Sequence, residues 1–142
     1  MHASRIARLI HSKDPARKTD GAILSTTVYY DLLNKMIGFA RICGQDADIS
    51  GYESLAAKIK AAYNAKFFNK ETAEYGNNTV TANILSLRLG LVPEGYEGKV
   101  FSNIVKKTEE DFNGHVSTGV LGIQHLMRGL TEYGRVDMAY KI

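Results

Sequence analysis

A glycine-rich run between two helix-like segments holds the side chains best suited to binding a small polar ligand. The run is Asn113-Gly-His-Val-Ser-Thr-Gly-Val-Leu-Gly122. Glycine lets a ligand approach the main chain, while His115, Ser117 and Thr118 offer short, directional hydrogen-bond groups. This composition predicts a binding loop, and its structural alternative is a polar turn between helices.

The residue spacing does not indicate a nucleotide-binding site or a metal site. The interval from Gly114 to Gly119 has the length of a phosphate-loop opening, but Val120 and Leu121 follow where Lys and Ser or Thr are needed. The four histidines are scattered, and neither an H-x-x-x-H nor a C-x-x-C motif occurs. We therefore expect no metal site and no cofactor.

Two other polar segments have a structural and a functional interpretation. The acidic run Glu109-Glu110-Asp111 lies close to a predicted helix carboxyl end and is interpreted as a solvated face, with a functional carboxylate as the alternative. Asn78 and Thr79 precede the third predicted helix, where Thr79 is expected to cap free backbone donors. The polar tip of that helix would then face whatever cavity the helix ends surround.

Composition indicates one domain with a short basic arm. The chain has 142 residues, 44% of them hydrophobic, which is enough for a sizeable core. The net charge is +3, but five of the 18 basic side chains fall within the first 18 residues, beside one acidic side chain. We therefore separate a basic arm, residues 1–20, from a nearly neutral body, residues 21–142. The arm has no aromatic residue to stack on bases, so nucleic-acid binding is not expected.

Neither a membrane span nor a signal peptide is expected, because the apolar stretches are too short and no charged segment leads into an apolar one. The periplasm, the outside of the cell and the cytoplasm all remain open as locations. The single cysteine, Cys43, is predicted to be a small packed side chain because it shares the apolar side of a helical pattern.

Apolar residues recur at helical spacing from about residue 24 onward and predict six helices in an all-α fold. Residues 69–78 interrupt this pattern and are predicted to form a loop or short hairpin. Ser50 and Glu53 have the spacing of a capping box and are predicted to start the second helix. Helices are expected to end at four glycines: Gly44, Gly90, Gly114 and Gly134.

The helices are expected to pack as antiparallel hairpins. The last pattern, from Val136, reaches Ile142 without a cap, which predicts that the natural polypeptide continues. The predicted inner face of the first helix is Leu24, Val28, Leu32, Met36, Ala40 and Cys43. That of the second helix is Tyr52, Leu55, Ala56, Ile59, Tyr63 and Phe67.

Several segments, taken in order, resemble the catalytic region of bacterial α-L-rhamnosidases, inverting glycoside hydrolases of family 78. The resemblance covers roughly residues 11 to 142. Its most specific parts are the glycine loop Gly114-His-Val-Ser-Thr-Gly-Val-Leu-Gly122 and the pattern Gly134-Arg-x-Asp-x-Ala-Tyr140. The other matching segments are residues 11–30, 76–83 and 89–94.

The resemblance implies an (α/α)6 barrel, a toroid of six helical hairpins whose loops at one end bind terminal rhamnose. This chain, with about six helices, would form part of that barrel. The family's catalytic acid and base lie in motifs before and after this region, and this chain has no tryptophan and neither motif. The resemblance therefore transfers no catalytic residue, and the isolated chain is expected to be inactive. The substrate-binding residues that it implies are His115, Thr118, Asn78 and Thr79.

Two functions other than glycoside hydrolysis are also compatible with the sequence. The main alternative is a helical-hairpin interaction module without enzymatic activity, which would bind partners through an apolar groove. A weaker one is a basic-armed nucleic-acid binder, whose affinity would fall with salt. A partial ring would also expose apolar helix faces, so self-association is expected, with exchanged elements as one route.

Overall fold

A computed structural model describes residues 18–142. The predicted all-α class is confirmed, and the six predicted helices are present in this range. A two-stranded antiparallel hairpin interrupts them, with Phe68 opposite Tyr75 and Asn69 opposite Glu74. Most of the predicted basic arm, residues 1–17, lies outside the described residues. The elements are α1 (Gly21–Ile42), α2 (Asp46–Phe67), β1 (Phe68–Asn69), β2 (Glu74–Tyr75), α3 (Val80–Arg88), α4 (Glu97–Glu110), α5 (Val120–Glu132) and α6 (Val136–Lys141).

Local signals explain most helix boundaries. The Asp20 side chain accepts a hydrogen bond from the Ala22 backbone N–H and caps α1. The predicted terminal glycines lie in the left-handed region, which permits the chain reversals that follow each helix. Their φ angles are +69° at Gly44, +74° at Gly90, +73° at Gly114 and +79° at Gly134.

The predicted start of the second helix at Ser50 is wrong, because α2 begins at Asp46 and carries Ser50 inside its second turn. The connection from α1 is only three residues long, and Asp46 and Asp48 occupy the first turn of α2. Carboxylates there interact favourably with the positive end of the helix dipole, so an early start needs no capping box.

The buried face of α1 is also not the predicted one. Val28, Leu32 and Met36 are between 41% and 53% exposed, and Cys43 is an exposed free thiol rather than a packed side chain. α1 is apolar on more than one side. Its contacts with α2 and with the core bury a side other than the predicted one. The buried residues are Ile23, Thr27, Leu33, Ile37 and Ala40, of which the prediction contained only Ala40.

α3 is the centre of the molecule. All eight residues from Val80 to Leu87 are buried, so the helix is enclosed on every side. α2 runs antiparallel to it, with the Tyr63 hydroxyl 2.7 Å from Ser86 Oγ and Lys60 Nζ donating to the Gly90 carbonyl. The core around it includes Tyr75, Leu91, Val100, Ile104, Leu126 and Leu130.

α5 runs parallel to α3 and lies very close to it. A Cβ atom added at Gly122 would lie 2.8 Å from Thr81 Oγ1, and one added at Gly129 would lie 2.5 Å from Ile84 Cδ1. The Arg88 guanidinium pairs with Glu132 at the far end of the same contact. Alternate helices therefore share a direction, while the helices between them return, which is the pattern of a ring of helical hairpins. No helix within residues 18–142 is long and apolar enough to cross a membrane.

Candidate functional site

The amino ends of three helices meet at one end of the molecule, which we call the amino-end face. Thr19 Oγ1, just before α1, lies 2.7 Å from Thr79 Oγ1, the cap of α3. Thr81 on α3 and Thr118 just before α5 both border Gly122. Helix amino ends carry partial positive charge and unpaired N–H groups, so this face is suited to polar, oxygen-rich ligands.

The hairpin before α3 is tied to it by a network of amides. The Asn83 side chain, fully buried, accepts from the Tyr75 backbone N–H at 2.9 Å and donates to Asn78 Oδ1 at 2.6 Å. Asn78 in turn donates to Glu74 Oε1 at 2.6 Å. Asn78 also has a φ of +57°, a conformation that asparagine tolerates better than most residues. The Asn78 side chain therefore holds the hairpin in its position.

Thr79 has a similar structural role. Its hydroxyl accepts from the Ala82 backbone N–H at 3.1 Å and contacts Thr19, and the residue is only 2% exposed. The predicted capping of α3 by Thr79 is confirmed. This hydroxyl therefore has two partners within the protein, and Thr79 shapes the amino-end face from beneath.

The glycine-rich loop begins with a tight reversal. Asn113 and Gly114 both have positive φ, and the Gly114 N–H donates to the Thr108 carbonyl at 2.8 Å. The hydroxyls of Ser117 and Thr118 follow, buried and without a hydrogen-bond partner within residues 18–142. A buried hydroxyl without a partner costs free energy, so these two oxygens are unsatisfied among the described residues.

His115 and Asn78 line two different clefts. His115 is exposed and borders a cleft of about 590 Å³ between the end of α4 and α6, together with Arg135, Asp137 and Lys141. Asn78 borders a smaller cleft of about 190 Å³ between the hairpin and α4. The four predicted site residues thus share one end of the molecule, but no single described cleft contains all of them.

The acidic run at the end of α4 is engaged in ion pairs. Glu109 lies 2.8 Å from Arg135, and Asp111 lies 2.9 Å from Lys107. The predicted solvated face is confirmed, since all three acidic residues of the run are exposed. Hydrogen bonds from Arg135 also lower the pKa of Asp137. The acidic residues of this run are therefore exposed, and two of them are paired with basic side chains.

Two buried tyrosines form hydrogen bonds in the core behind the amino-end face. Burial raises the pKa of Tyr63 to about 12, although its hydrogen bond with Ser86 acts in the opposite direction. Burial and the neighbouring Tyr63 also raise the pKa of Tyr75, whose hydroxyl donates to Asn64 Oδ1 at 2.7 Å. Both phenols therefore remain neutral hydrogen-bonding groups.

His125 lies on α5 and is partly buried, as its helical position predicts. Burial lowers its pKa below the usual value, and the nearby charge of Arg88 lowers it further. Its Nδ1 atom has no hydrogen-bond partner among the described residues. The imidazole is thus held in its neutral form next to the Arg88–Glu132 pair.

The sequence did not reveal the structural roles of Asn83 and of two glycines, Gly122 and Gly129. Asn83 appeared only as a member of a matching segment, yet it fixes the hairpin on which Asn78 lies. A signal was present, because an asparagine inside an otherwise apolar helix must find buried partners. Gly122 and Gly129 likewise lie inside a helix, where glycine is unfavourable unless close packing requires it.

The parallel helices α3 and α5, the helices that return between them and the amino-end face are typical of a domain built as a ring of helical hairpins. The family model described as the bacterial α-L-rhamnosidase six-hairpin glycosidase domain matches residues 6–142. This chain belongs to that family, which confirms the sequence resemblance.

Individual relatives agree with the family. An α-L-rhamnosidase of Formosa agariphila is 30% identical over 135 residues, which covers 89% of this chain and 14% of that protein. The crystal structure of Streptomyces avermitilis α-L-rhamnosidase complexed with L-rhamnose matches with a TM-score of 0.81 at 25% identity, over 87% of this chain and 12% of that one. The α-L-rhamnosidase from Dictyoglumus thermophilum matches with a TM-score of 0.76 at 31% identity, over 82% of this chain and 13% of that one. The chain therefore spans about one seventh of the length of these relatives.

Proposed function

We propose that this chain is part of the catalytic domain of a glycoside hydrolase that releases terminal α-L-rhamnose with inversion. Family membership supports the glycosidase assignment, and the names of the relatives support rhamnosides as the substrate class. The observation that carries the proposal is the fold match to a rhamnosidase crystallised with L-rhamnose, together with the two unpartnered hydroxyls on the amino-end face.

In this proposal the amino-end face forms part of the sugar-binding surface. Sugar hydroxyls are neutral donors and acceptors, which short hydroxyl and imidazole side chains bind with good directionality. Thr118 carries a buried hydroxyl without a hydrogen-bond partner among the described residues, just before α5, and His115 is exposed in the same loop. We assign sugar contact to these two residues. Asn78 and Thr79 act on the same surface mainly by fixing its shape.

The catalytic acid and base are proposed to lie outside this chain. Inverting hydrolysis needs two carboxyl groups roughly 6.5–9.5 Å apart, one of them protonated. The acidic residues at the end of α4 pair with Arg135 and Lys107, so we assign neither role to them. The 142-residue chain alone is therefore inactive in this proposal.

A chimera provides the direct test. Residues 6–142 would replace the matching segment of the Streptomyces avermitilis enzyme, and release of L-rhamnose from an aryl α-L-rhamnoside would be followed by proton NMR. We expect hydrolysis with the β-anomer of L-rhamnose formed first, because inversion changes the anomeric configuration. A folded chimera without activity on any α-L-rhamnoside would contradict the proposal.

Site residues are tested in the same chimera and in the isolated chain. Thr118→Val should raise KM with a smaller change in kcat, because it removes a ground-state contact. Val116→Ala, in the same loop, is the matched control. Titration of the labelled 142-residue chain with L-rhamnose should shift amide signals of residues 115–118, whereas D-glucose should not. Equal shifts with both sugars would count against a rhamnose site.

The alternative of a non-enzymatic helical interaction module is less well supported. The relatives named above are all α-L-rhamnosidases, which favours an enzymatic parent. Nucleic-acid and membrane partners are not part of the proposal.

A further inference from the structure

Asn113 and Gly114, at the start of the glycine-rich loop, form a chemically reactive pair. Asparagine is thermolabile because the backbone nitrogen of the next residue can attack its side-chain amide. A glycine in that next position has no Cβ atom, so nothing shields the attacking nitrogen. Asn113 is the one asparagine of this chain that a glycine follows. The sequence therefore singles out this asparagine.

The Asn113 side chain also differs from the other asparagine side chains in its contacts. The residue is exposed, and its side-chain amide makes no hydrogen bond within residues 18–142. A hydrogen-bonded amide has to give up its partners before its carbon can turn toward the next residue, and the Asn113 amide has none to give up. The asparagines whose side chains are hydrogen-bonded are Asn34, Asn64, Asn69, Asn77, Asn78, Asn83 and Asn103.

One backbone hydrogen bond restrains the reactive pair. The Gly114 N–H donates to the Thr108 carbonyl at 2.8 Å, in a reversal where φ is +50° at Asn113 and +73° at Gly114. The half-buried Phe112 side chain packs against the core just before this reversal. The Gly114 nitrogen must lose its proton before it attacks, so the hydrogen bond to Thr108 has to open first.

We propose that Asn113 is a site of spontaneous deamidation, at a rate set by opening of the Gly114–Thr108 hydrogen bond. The deprotonated Gly114 nitrogen forms a bond to Asn113 Cγ, and the Cγ–Nδ2 bond breaks. The departing Nδ2 group takes up the proton and leaves as ammonia, so that a succinimide ring remains. Water then opens this ring at either carbonyl and gives aspartate or isoaspartate at position 113.

Either product changes the glycine-rich loop. The new carboxylate lies in the cleft that Glu109 and Asp137 also border, so negative charge accumulates there. Isoaspartate in addition inserts one carbon into the main chain between α4 and His115, which displaces His115. The inference does not depend on the glycosidase proposal, because the reaction needs only the reversal itself and water.

Incubation of the 142-residue chain at mildly alkaline pH tests the site. Peptide mapping by mass spectrometry should find the amide-to-acid mass change at Asn113 before any other asparagine, and enzymatic methylation should detect isoaspartate in the same peptide. Asn113→Gln is the matched control and should remove the change, because glutamine would have to form a larger ring more slowly. Isomerisation of Asp20, which precedes Gly21, leaves the mass unchanged and is thereby distinguished. Earlier conversion of another asparagine, or no conversion at Asn113, would overturn the proposal.

Comparison of the folded chain with the chain unfolded in urea tests the restraint. Conversion at Asn113 should be at least about fivefold slower in the folded chain, which is the factor that one hydrogen bond imposes. Phe112→Ala should bring the folded rate closer to the rate of the same variant in urea, while circular dichroism remains helical. Phe39→Ala is the matched control, since Phe39 is 59% exposed on α1, and it should leave the ratio of the two rates unchanged. Equal rates in folded and unfolded wild type would refute the restraint, as would equal responses to the two substitutions.

Discussion

The contact between α3 and α5 and the exposed side of α1 differ in how closely other parts of the molecule approach the helix. Between α3 and α5, glycines let two backbones approach until one added carbon would collide with Thr81 or Ile84. On α1, large side chains such as Leu32 and Phe39 stand in solvent, more than half exposed. Apolar content alone therefore does not locate the core, because a helix becomes central only when its neighbours can close around it.

The largest expected effect compares two leucines. Leu126→Ala, at 0% exposure on α5, should lower the free energy of unfolding by about 2–5 kcal/mol through lost burial and the cavity that remains. Leu32→Ala, at 53% exposure, should change it by about 0.5 kcal/mol or less in the dilute monomer. Urea denaturation of both variants measures the difference. Equal losses would show that α1 is packed as tightly as α5.

Glycines in the two regions are expected to respond in opposite ways to substitution by alanine. Gly122→Ala should destabilise the chain by about 1–3 kcal/mol, because the added methyl group overlaps Thr118 and Thr81. Gly38→Ala, inside α1 with nothing within 4 Å of the added carbon, should stabilise it by about 0.5–1 kcal/mol through helix propensity. Thermal unfolding of the pair reports the opposite signs. Stabilisation by both would mean that α3 and α5 can separate freely.

The buried amide network predicts a third contrast. Asn83→Ala leaves the Tyr75 N–H and Asn78 Oδ1 without their partner and should cost about 1–3 kcal/mol. Asn34→Ala, which removes an exposed contact to the Tyr30 carbonyl on α1, should cost much less. Denaturant titration gives the stabilities, and amide exchange at residues 74–78 should rise only in the first variant. Unchanged exchange there would contradict the anchoring role of Asn83.

The smallest expected effect is a pH dependence on α5. Because the folded pKa of His125 lies below its usual value of about 6.5, the unfolded chain binds the proton first as the pH falls. The contribution of neutral His125 to folding stability is therefore fully present above the usual pKa. It is lost as the pH falls through the folded pKa. His125→Gln should flatten the decline in stability below pH about 6.5 relative to wild type. An unaltered slope would exclude His125 as its source.

The number of helices and most of their ends were predictable, because the signals are local. Gly44, Gly90 and Gly134 follow apolar runs and adopt the left-handed conformation that ends a helix. Thr79 caps α3 as its position indicates. These features depend only on a few neighbouring residues.

The buried side of α1 was not predictable, because it depends on distant residues. Ile23 and Ile37 are buried while Leu32 and Met36 are not, although all four are apolar and fit a helical period. Contacts with α2 and with the core determine which side of α1 is buried. Within the candidate site, the composition of the loop singled out His115 and Thr118, whereas the division into separate clefts follows from the positions of α4 and α6.

The complete enclosure of α3 has a consequence for the order of folding. A nine-residue helix is too short to be stable by itself in water, since isolated helices below about 12–15 residues are marginal. Segments on both sides of it in the chain must collapse before its backbone is sheltered, so the middle of the sequence acquires its structure late. Amide protons from Ile84 to Leu87 should then exchange only when the entire molecule opens.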